Sequence, residues 1–161
     1  MRLLQLHRII IIPILWISCS ISIYCQNNEA IVDSCAVFIF QLEEGISIDS
    51  DSNMTLNQIK TEPIYNEFYQ RVFKINKFIT ETINCELTIN QTIALSSLIF
   101  NIGIGHFRTS TLYDHLAKNC ESNIDLELVK EEFLQWDKTR GINSNTLRMR
   151  RLFEFKKFKQ K

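Results

Sequence analysis

The chain has few of the residues that break helices. Its 161 residues include only four glycines and two prolines, which argues against a turn-rich β-sandwich and favours helices. The length fits one domain rather than two. The 18 basic and 18 acidic side chains give a formal net charge of zero, and we predict no nucleic-acid partner. No C-x-x-C and no Cys/His pair has the spacing of a metal site, so we assign no metal and no cofactor.

The N-terminus has the features of a secretory signal. Arg2, His7 and Arg8 precede an apolar run, Ile9–Ile23, that ends in small and polar residues. A run of about fifteen residues is short for a transmembrane helix, which needs about twenty. We therefore predict that residues 1–25 are a signal peptide, with membrane association through an uncleaved anchor as the alternative. Residues 26–161 would then form one exported, monomeric domain.

The cysteines leave one question open. The sequence contains Cys19, Cys25, Cys35, Cys85 and Cys120. Removal of residues 1–25 leaves three of them, and an odd number means at least one unpaired thiol in a compartment where disulfides can form. The pairing among Cys35, Cys85 and Cys120 does not follow from the sequence.

Apolar residues at helical spacing recur through the remaining chain. The segment Ile89–Phe100 is apolar almost all round, which predicts a buried central helix. The glycines between Asn101 and Gly105 favour its termination there, whereas the polar segment Ile46–Asn53 indicates a loop. The helices predicted in addition are Ala30–Leu42, Thr55–Asn84 as one or two helices, Ser110–Ala117, Leu126–Trp136 and Thr146–Phe158.

The C-terminus is strongly basic. The last fourteen residues hold seven lysines or arginines and one glutamate. Such a run is typical of a solvated helix face. The alternative is a contact with an anionic polymer of the cell wall or with lipid.

Four sequence motifs occur in series in the second half of the chain. They are LTINQ at residues 87–91, FNIGIGHFRTSTL at 100–112, EFLQW at 132–136 and LRMRRLFE at 147–154. Together they resemble the C-terminal lobe of the phage-type lysozymes, glycoside hydrolase family 24, over about residues 55–158. The resemblance implies a mainly α fold, a lysozyme-like helical lobe around the central helix. It also implies an enzyme that cuts the β-1,4 bond between N-acetylmuramic acid and N-acetylglucosamine in peptidoglycan.

The same resemblance assigns roles to individual residues. FQLEEGI, residues 40–46, is similar to the end of the first helix of that family, and the match puts Glu44 in the general-acid position. A carboxyl is needed there because the leaving oxygen must receive a proton. Asn101 corresponds to a position that lines the cleft and hydrogen-bonds substrate. The resemblance also implies that one arginine of the last helix pairs with the catalytic glutamate. Of Arg148, Arg150 and Arg151, Arg148 fits that position best.

The chain departs from the family directly after Glu44. Only nine residues separate Gly45 from Thr55, where the family has a few dozen β-rich residues that carry an Asp and a T-I-G-Y-G-H-like strand. We therefore expect the small β-lobe to be reduced or absent. Asp49 is the surrogate candidate for the missing base, and its alternative role is that of an ordinary loop residue. Turnover is expected to be weak or absent, and the alternative function is an inactive relative that binds the cell wall or a protein partner.

Overall fold

The computed structural model describes residues 28–44, 57, 60–61, 65–118 and 124–160. The chain divides into two compact units, Met1–Ile31 and Val32–Lys161, and the four described residues of the first unit are helical. The predicted signal segment, the predicted loop after Gly45 and Asp49 lie outside the described residues. None of the described helices is long and apolar enough to cross a membrane.

The part of the chain that the structure describes is mainly helical, as the sequence predicts. It includes seven helices and one two-stranded hairpin. The first helix, α1, covers residues 28–43. The others are α2 (Tyr65–Thr82), α3 (Ile89–Ile102), α4 (Ile104–Arg108), α5 (Thr111–Lys118), α6 (Leu126–Leu134) and α7 (Asn145–Phe158), with β1 (Lys138–Thr139) and β2 (Ile142–Asn143) between α6 and α7.

Helix α3 is the buried central helix. Its nine consecutive residues from Thr92 to Phe100 are all buried, because α2 and α7 pack against it. Thr88 begins the helix with a capping box: its side chain accepts a hydrogen bond from the backbone N–H of Gln91, and the Gln91 side chain accepts one from the backbone N–H of Thr88. The prediction of a central helix from near-continuous apolar character is confirmed.

The exit from α3 is tighter than the sequence predicts. The break consists of Gly103 alone, which adopts a φ of 89° and donates its N–H to the carbonyl of Ile99. A positive φ is unfavourable for residues with a Cβ, so glycine is the natural residue at this position. Gly105 lies within α4, which begins directly after the break. The expected five-residue terminator is therefore a one-residue junction between two helices.

The hairpin between α6 and α7 is a feature that the helix pattern does not predict. Helix α6 ends two residues before the expected Trp136, and β1 then pairs antiparallel with β2. Arg140 and Gly141 both have positive φ, 51° and 80°, as a two-residue type I′ turn requires. Ser144 then caps α7 by accepting a hydrogen bond from the N–H of Leu147.

A small polar cluster lies inside the helical core. The Cys35 thiol donates to the hydroxyl of Ser96, and the side-chain amide of Asn76 donates to the same oxygen, so α1, α2 and α3 are connected. Cys35 is a free, buried thiol, and its burial raises the pKa of the thiol. Cys85 is disulfide-bonded, whereas Cys120 lies outside the described residues.

Candidate functional site

Two adjacent glutamates lie at the C-terminal end of α1. Glu43 is the last helical residue, and Glu44 follows in a turn in which its N–H donates to the carbonyl of Phe40. Both side chains are exposed. The carboxylate of Glu43 accepts a hydrogen bond of 2.7 Å from Nη1 of Arg150, and the two charges form an ion pair. Among the described residues, none forms an ion pair with Glu44.

Arg150 connects this surface to the interior. It lies on α7 with its side chain 10% exposed. Its three guanidinium nitrogens have three different partners: Nη1 donates to Glu43, Nη2 to the hydroxyl of Ser97 at 3.4 Å, and Nε to Oε1 of Glu154 at 3.1 Å. A planar guanidinium that is held at three points has one orientation, so Arg150 presents Nη1 to the carboxylate of Glu43 in a defined direction.

Glu154 is a fully buried carboxylate on α7. Oε1 accepts from Ser97 at 2.6 Å as well as from Arg150, and Oε2 accepts from Nη1 of Arg151 at 2.6 Å. Charge-assisted hydrogen bonds of this kind are among the stronger polar contacts in proteins. Burial raises the pKa of Glu154 and lowers the pKa of Arg151 because water is excluded from both groups, and the attraction between their charges opposes both shifts.

Arg151 connects Glu154 to Asn101. Its side chain is fully buried, and Nη2 donates to Oδ1 of Asn101 at the end of α3. Because a guanidinium has no acceptor, the atom of Asn101 that faces it must be the carbonyl oxygen. The amide nitrogen of Asn101 therefore points away from the guanidinium. Within the described residues, Nε of Arg151 is a buried nitrogen without a hydrogen-bond partner.

These contacts form one continuous set of ion pairs and hydrogen bonds, which we call the ion-pair network. Its members are Glu43, Arg150, Ser97, Glu154, Arg151 and Asn101. The network joins α1, α3 and α7 through side chains and has an exposed residue at each end, Glu43 and Asn101. The structure thus brings one of the two adjacent glutamates and the predicted substrate-binding asparagine to the two ends of a single buried network.

Arg148 lies elsewhere on the same helix. Its Nη1 is 3.2 Å from Oδ2 of Asp137, a buried carboxylate directly before the hairpin. The sequence favours Arg148 as the partner of the glutamate at the end of α1, whereas Arg150 is the arginine that the structure pairs with a glutamate there. The basic run of α7 is also only partly a solvated face, because Arg150 and Arg151 point inward.

An exposed histidine and a tryptophan lie near the end of α3. The ring of His106 is 5.9 Å from that of Trp136, and its Nδ1 is 2.8 Å from the carbonyl oxygen of Ile102. The first contact joins α4 to the turn after α6, and the second joins α4 to the end of α3. No group of three or more His, Cys, Asp or Glu side chains in the described ranges could hold a metal ion.

A groove of about 720 Å³ lies along α1. On α1 its lining begins at Asp33 and ends at Gln41, two residues before Glu43, and α3 and α7 contribute Asn90 and Lys157. The hydroxyl of Tyr69 donates to Asp33 at 2.7 Å. The lining mixes polar and apolar side chains, so the groove alone does not identify a ligand.

The sequence assigns no role to Glu43, Ser97 or Glu154, and it ranks Arg150 and Arg151 behind Arg148 as partners of the catalytic glutamate. A signal was present in the spacing, because Arg150 and Arg151 precede Glu154 by four and three residues and such pairs lie on one helix face. Charged residues at this spacing are most often exposed. Only the packing of α3 against α7 distinguishes a buried network from a solvated one.

Comparison with known families gives one match. Residues 43–154 match the family model described as Phage lysozyme. The matched segment begins at Glu43 and ends at Glu154, so it contains every member of the ion-pair network. No curated protein matches the chain.

Proposed function

Because the chain belongs to the phage lysozyme family, we propose that it acts on peptidoglycan and hydrolyses the β-1,4 bond between N-acetylmuramic acid and N-acetylglucosamine. The observation that carries this proposal is the ion-pair network, which joins Glu43, one of the two exposed glutamates at the end of α1, to Asn101 at the end of α3. Hydrolysis of a glycosidic bond needs a carboxyl that protonates the leaving oxygen. Hydrogen-bond donors to the sugar must hold that bond in position.

We assign the general acid to Glu44. Glu43 is committed to Arg150, whereas the carboxyl of Glu44 is exposed and has no ion-pair partner within the described part of the chain. An ion pair with an arginine favours the charged form of a carboxyl, whereas a general acid must give a proton to the leaving oxygen. The family match includes both glutamates and does not choose between them. Comparison of Glu44→Gln with Glu43→Gln distinguishes the two.

Asn101 is proposed to bind the sugar through its amide nitrogen. Its carbonyl oxygen accepts from Arg151, and the residue is exposed. The amide nitrogen is therefore available to donate to an acceptor oxygen of an N-acetylated sugar. This assignment gives a reason for the contact between the buried guanidinium of Arg151 and Asn101, because the contact orients the amide nitrogen of Asn101.

The second catalytic group stays a prediction. Asp49 is the surrogate candidate for the base that activates water, and it belongs to the nine-residue segment after Gly45. A base in an inverting mechanism must leave room for a water molecule beside the sugar. Arg148, which pairs with Asp137, is proposed to support α7 and the hairpin rather than to contact the acid.

The alternative function is that of a relative that binds the cell wall or a protein partner without cleaving it. The shortness of the segment after Gly45 favours this reading, because a short segment offers little wall for the sugar chain. A relative that binds the cell wall would share peptidoglycan with the enzyme and differ from it only in turnover, whereas one that binds a protein partner would differ in its ligand as well.

Digestion of purified peptidoglycan by the full chain tests the proposal. The digest is reduced with borohydride, and the reduced sugar is identified. We expect slow release of ends that are reduced to muramitol, because cleavage after N-acetylmuramic acid makes that sugar the reducing end. Reduced N-acetylglucosamine would assign the other bond. Binding without any new reducing end would instead support the alternative function.

We further propose that the domain acts outside the cytoplasm, where peptidoglycan lies. The basic start and the apolar run of Ile9–Ile23 support export. Fractionation of cells that express the full chain should yield the protein in the membrane, the periplasm or the medium. A product of full length that is found wholly in the cytoplasm would contradict this proposal.

A further inference from the structure

We propose that Glu154 is a positioning residue of the candidate site and that it holds both Glu43 and Asn101 through two arginines. The proposal rests on the proposed function, since it gives a role in that site to a residue that never reaches the surface. Its basis is the geometry of the ion-pair network.

The first arm of the network leads to the acid side of the site. Arg150 contacts Glu154 through Nε and Glu43 through Nη1, so opposite ends of one rigid group touch the buried and the exposed carboxylate. Ser97 adds a contact to Nη2 and donates to Glu154. Removal of Glu154 would leave the inner end of this guanidinium with one neutral hydroxyl partner.

The second arm leads to the sugar-binding side. Arg151 uses Nη1 for Glu154 and Nη2 for Asn101. Glu154 is the carboxylate that fixes this guanidinium, and the guanidinium in turn fixes which face of the Asn101 amide points outward. The two exposed residues are thus positioned by opposite oxygens of the same carboxylate.

Stability alone does not account for such an arrangement. The free-energy cost of removing a carboxylate and a guanidinium from water offsets much of the attraction between their charges. Apolar side chains of similar volume often stabilise a fold equally well. The network also contains a buried Arg151 nitrogen without a partner among the described residues. The network therefore contributes little net stability, but it makes specific contacts with both exposed residues, Glu43 and Asn101. This combination is expected of residues that position a site.

The test uses the full chain and removes the fully buried pair of Arg151 and Glu154 together, while Arg150 keeps its ion pair with Glu43. Arg151→Met/Glu154→Met replaces both partners by apolar side chains of similar length. Asn101→Ala and the triple variant complete a mutant cycle. Lys77→Met/Glu81→Met, an exposed ion pair on α2, is the matched control.

Binding is measured by co-sedimentation with purified insoluble peptidoglycan. We expect the double variant to bind roughly tenfold more weakly, as for the loss of about one hydrogen bond. We expect Asn101→Ala to lose a similar factor and the triple variant to lose no more. The control variant should bind like the wild type. Full additivity of the two losses, or unchanged binding by the double variant, would overturn the proposal.

A second measurement needs no substrate. In ¹H–¹⁵N spectra of the free protein, the side-chain amide of Asn101 and Nε–H of Arg150 should move to positions typical of exposed groups in the double variant. Unchanged resonances would overturn the positioning role whatever the protein binds. If the wild type fails to bind peptidoglycan, the proposed function fails, and these spectra alone decide the role of Glu154. Thermal melts of every variant verify that the domain is folded.

Discussion

Replacing Glu154 alone with alanine should lower the free energy of unfolding by about 3–5 kcal/mol, because removal of one partner of a buried ion pair leaves an uncompensated charge. The charge in question is that of Arg151, whose side chain is 0% exposed. Its other described partner is the neutral amide of Asn101. Denaturant unfolding followed by circular dichroism at neutral pH measures the loss.

Two comparisons identify the cause of that loss. Replacement of both Arg151 and Glu154 by methionine should restore most of the stability, since the fully buried charge of Arg151 is removed together with its partner and Arg150 keeps its ion pair with Glu43. Removal of the exposed pair of Lys77 and Glu81 should cost less than about 1 kcal/mol, as is usual at the surface. A loss below about 1 kcal/mol for Glu154→Ala would show that the buried charge of Arg151 is compensated in another way.

The free-energy difference between burying apolar and polar groups also explains what the sequence can predict about the fold. Helix α3 is predictable because nine of its residues in succession are buried, and a segment without a polar face is unfavourable elsewhere. Its end is only partly predictable. Both glycines after Asn101 permit a break, and the fold uses the positive φ of Gly103 alone.

The ion-pair network lies beyond prediction from one sequence. Residues such as Arg150 and Glu154 have the spacing of an ordinary exposed helical pair, and nothing local to α7 indicates that Ser97 of α3 approaches them. The hairpin is missed for the opposite reason. Arg140-Gly141 is a weak turn signal, and a two-residue strand is too short for a period-2 pattern.

The candidate site is predicted in part. The resemblance assigns roles to Glu44, Asn101 and Arg148, and the structure adds contacts that the motif does not contain. Asn101 accepts from Arg151, and Arg150 rather than Arg148 pairs with a glutamate at the end of α1. The choice between neighbouring arginines depends on the helical phase of α7 relative to α1. That phase is set by packing and not by the motif.

Substitution of Glu44 by glutamine should reduce release of new reducing ends from peptidoglycan by about 10²–10⁴-fold, the usual contribution of general acid–base catalysis. An amide has the shape of the acid but cannot donate the proton that the leaving oxygen needs. The rate is measured with purified peptidoglycan at saturating substrate, so that a change in affinity does not enter. Asp49→Asn should also lower the rate if Asp49 serves as the base.

Glu43→Gln is the matched control, since it alters a carboxyl of the same length one residue away. It removes the ion pair with Arg150 but leaves the carboxyl of Glu44 intact, so we expect a smaller loss than for Glu44→Gln. The reverse order of effects would assign the general acid to Glu43 and the supporting role to Glu44.

Equal binding of the wild type and Glu44→Gln, with turnover by neither, would identify a binding protein. Turnover of the wild type at a rate ordinary for lysozymes would instead show that nine residues after Gly45 suffice where the family uses a few dozen. In that case the contribution of positioning would have to come from the helical lobe itself, where Asn101 is the residue proposed to hold the sugar.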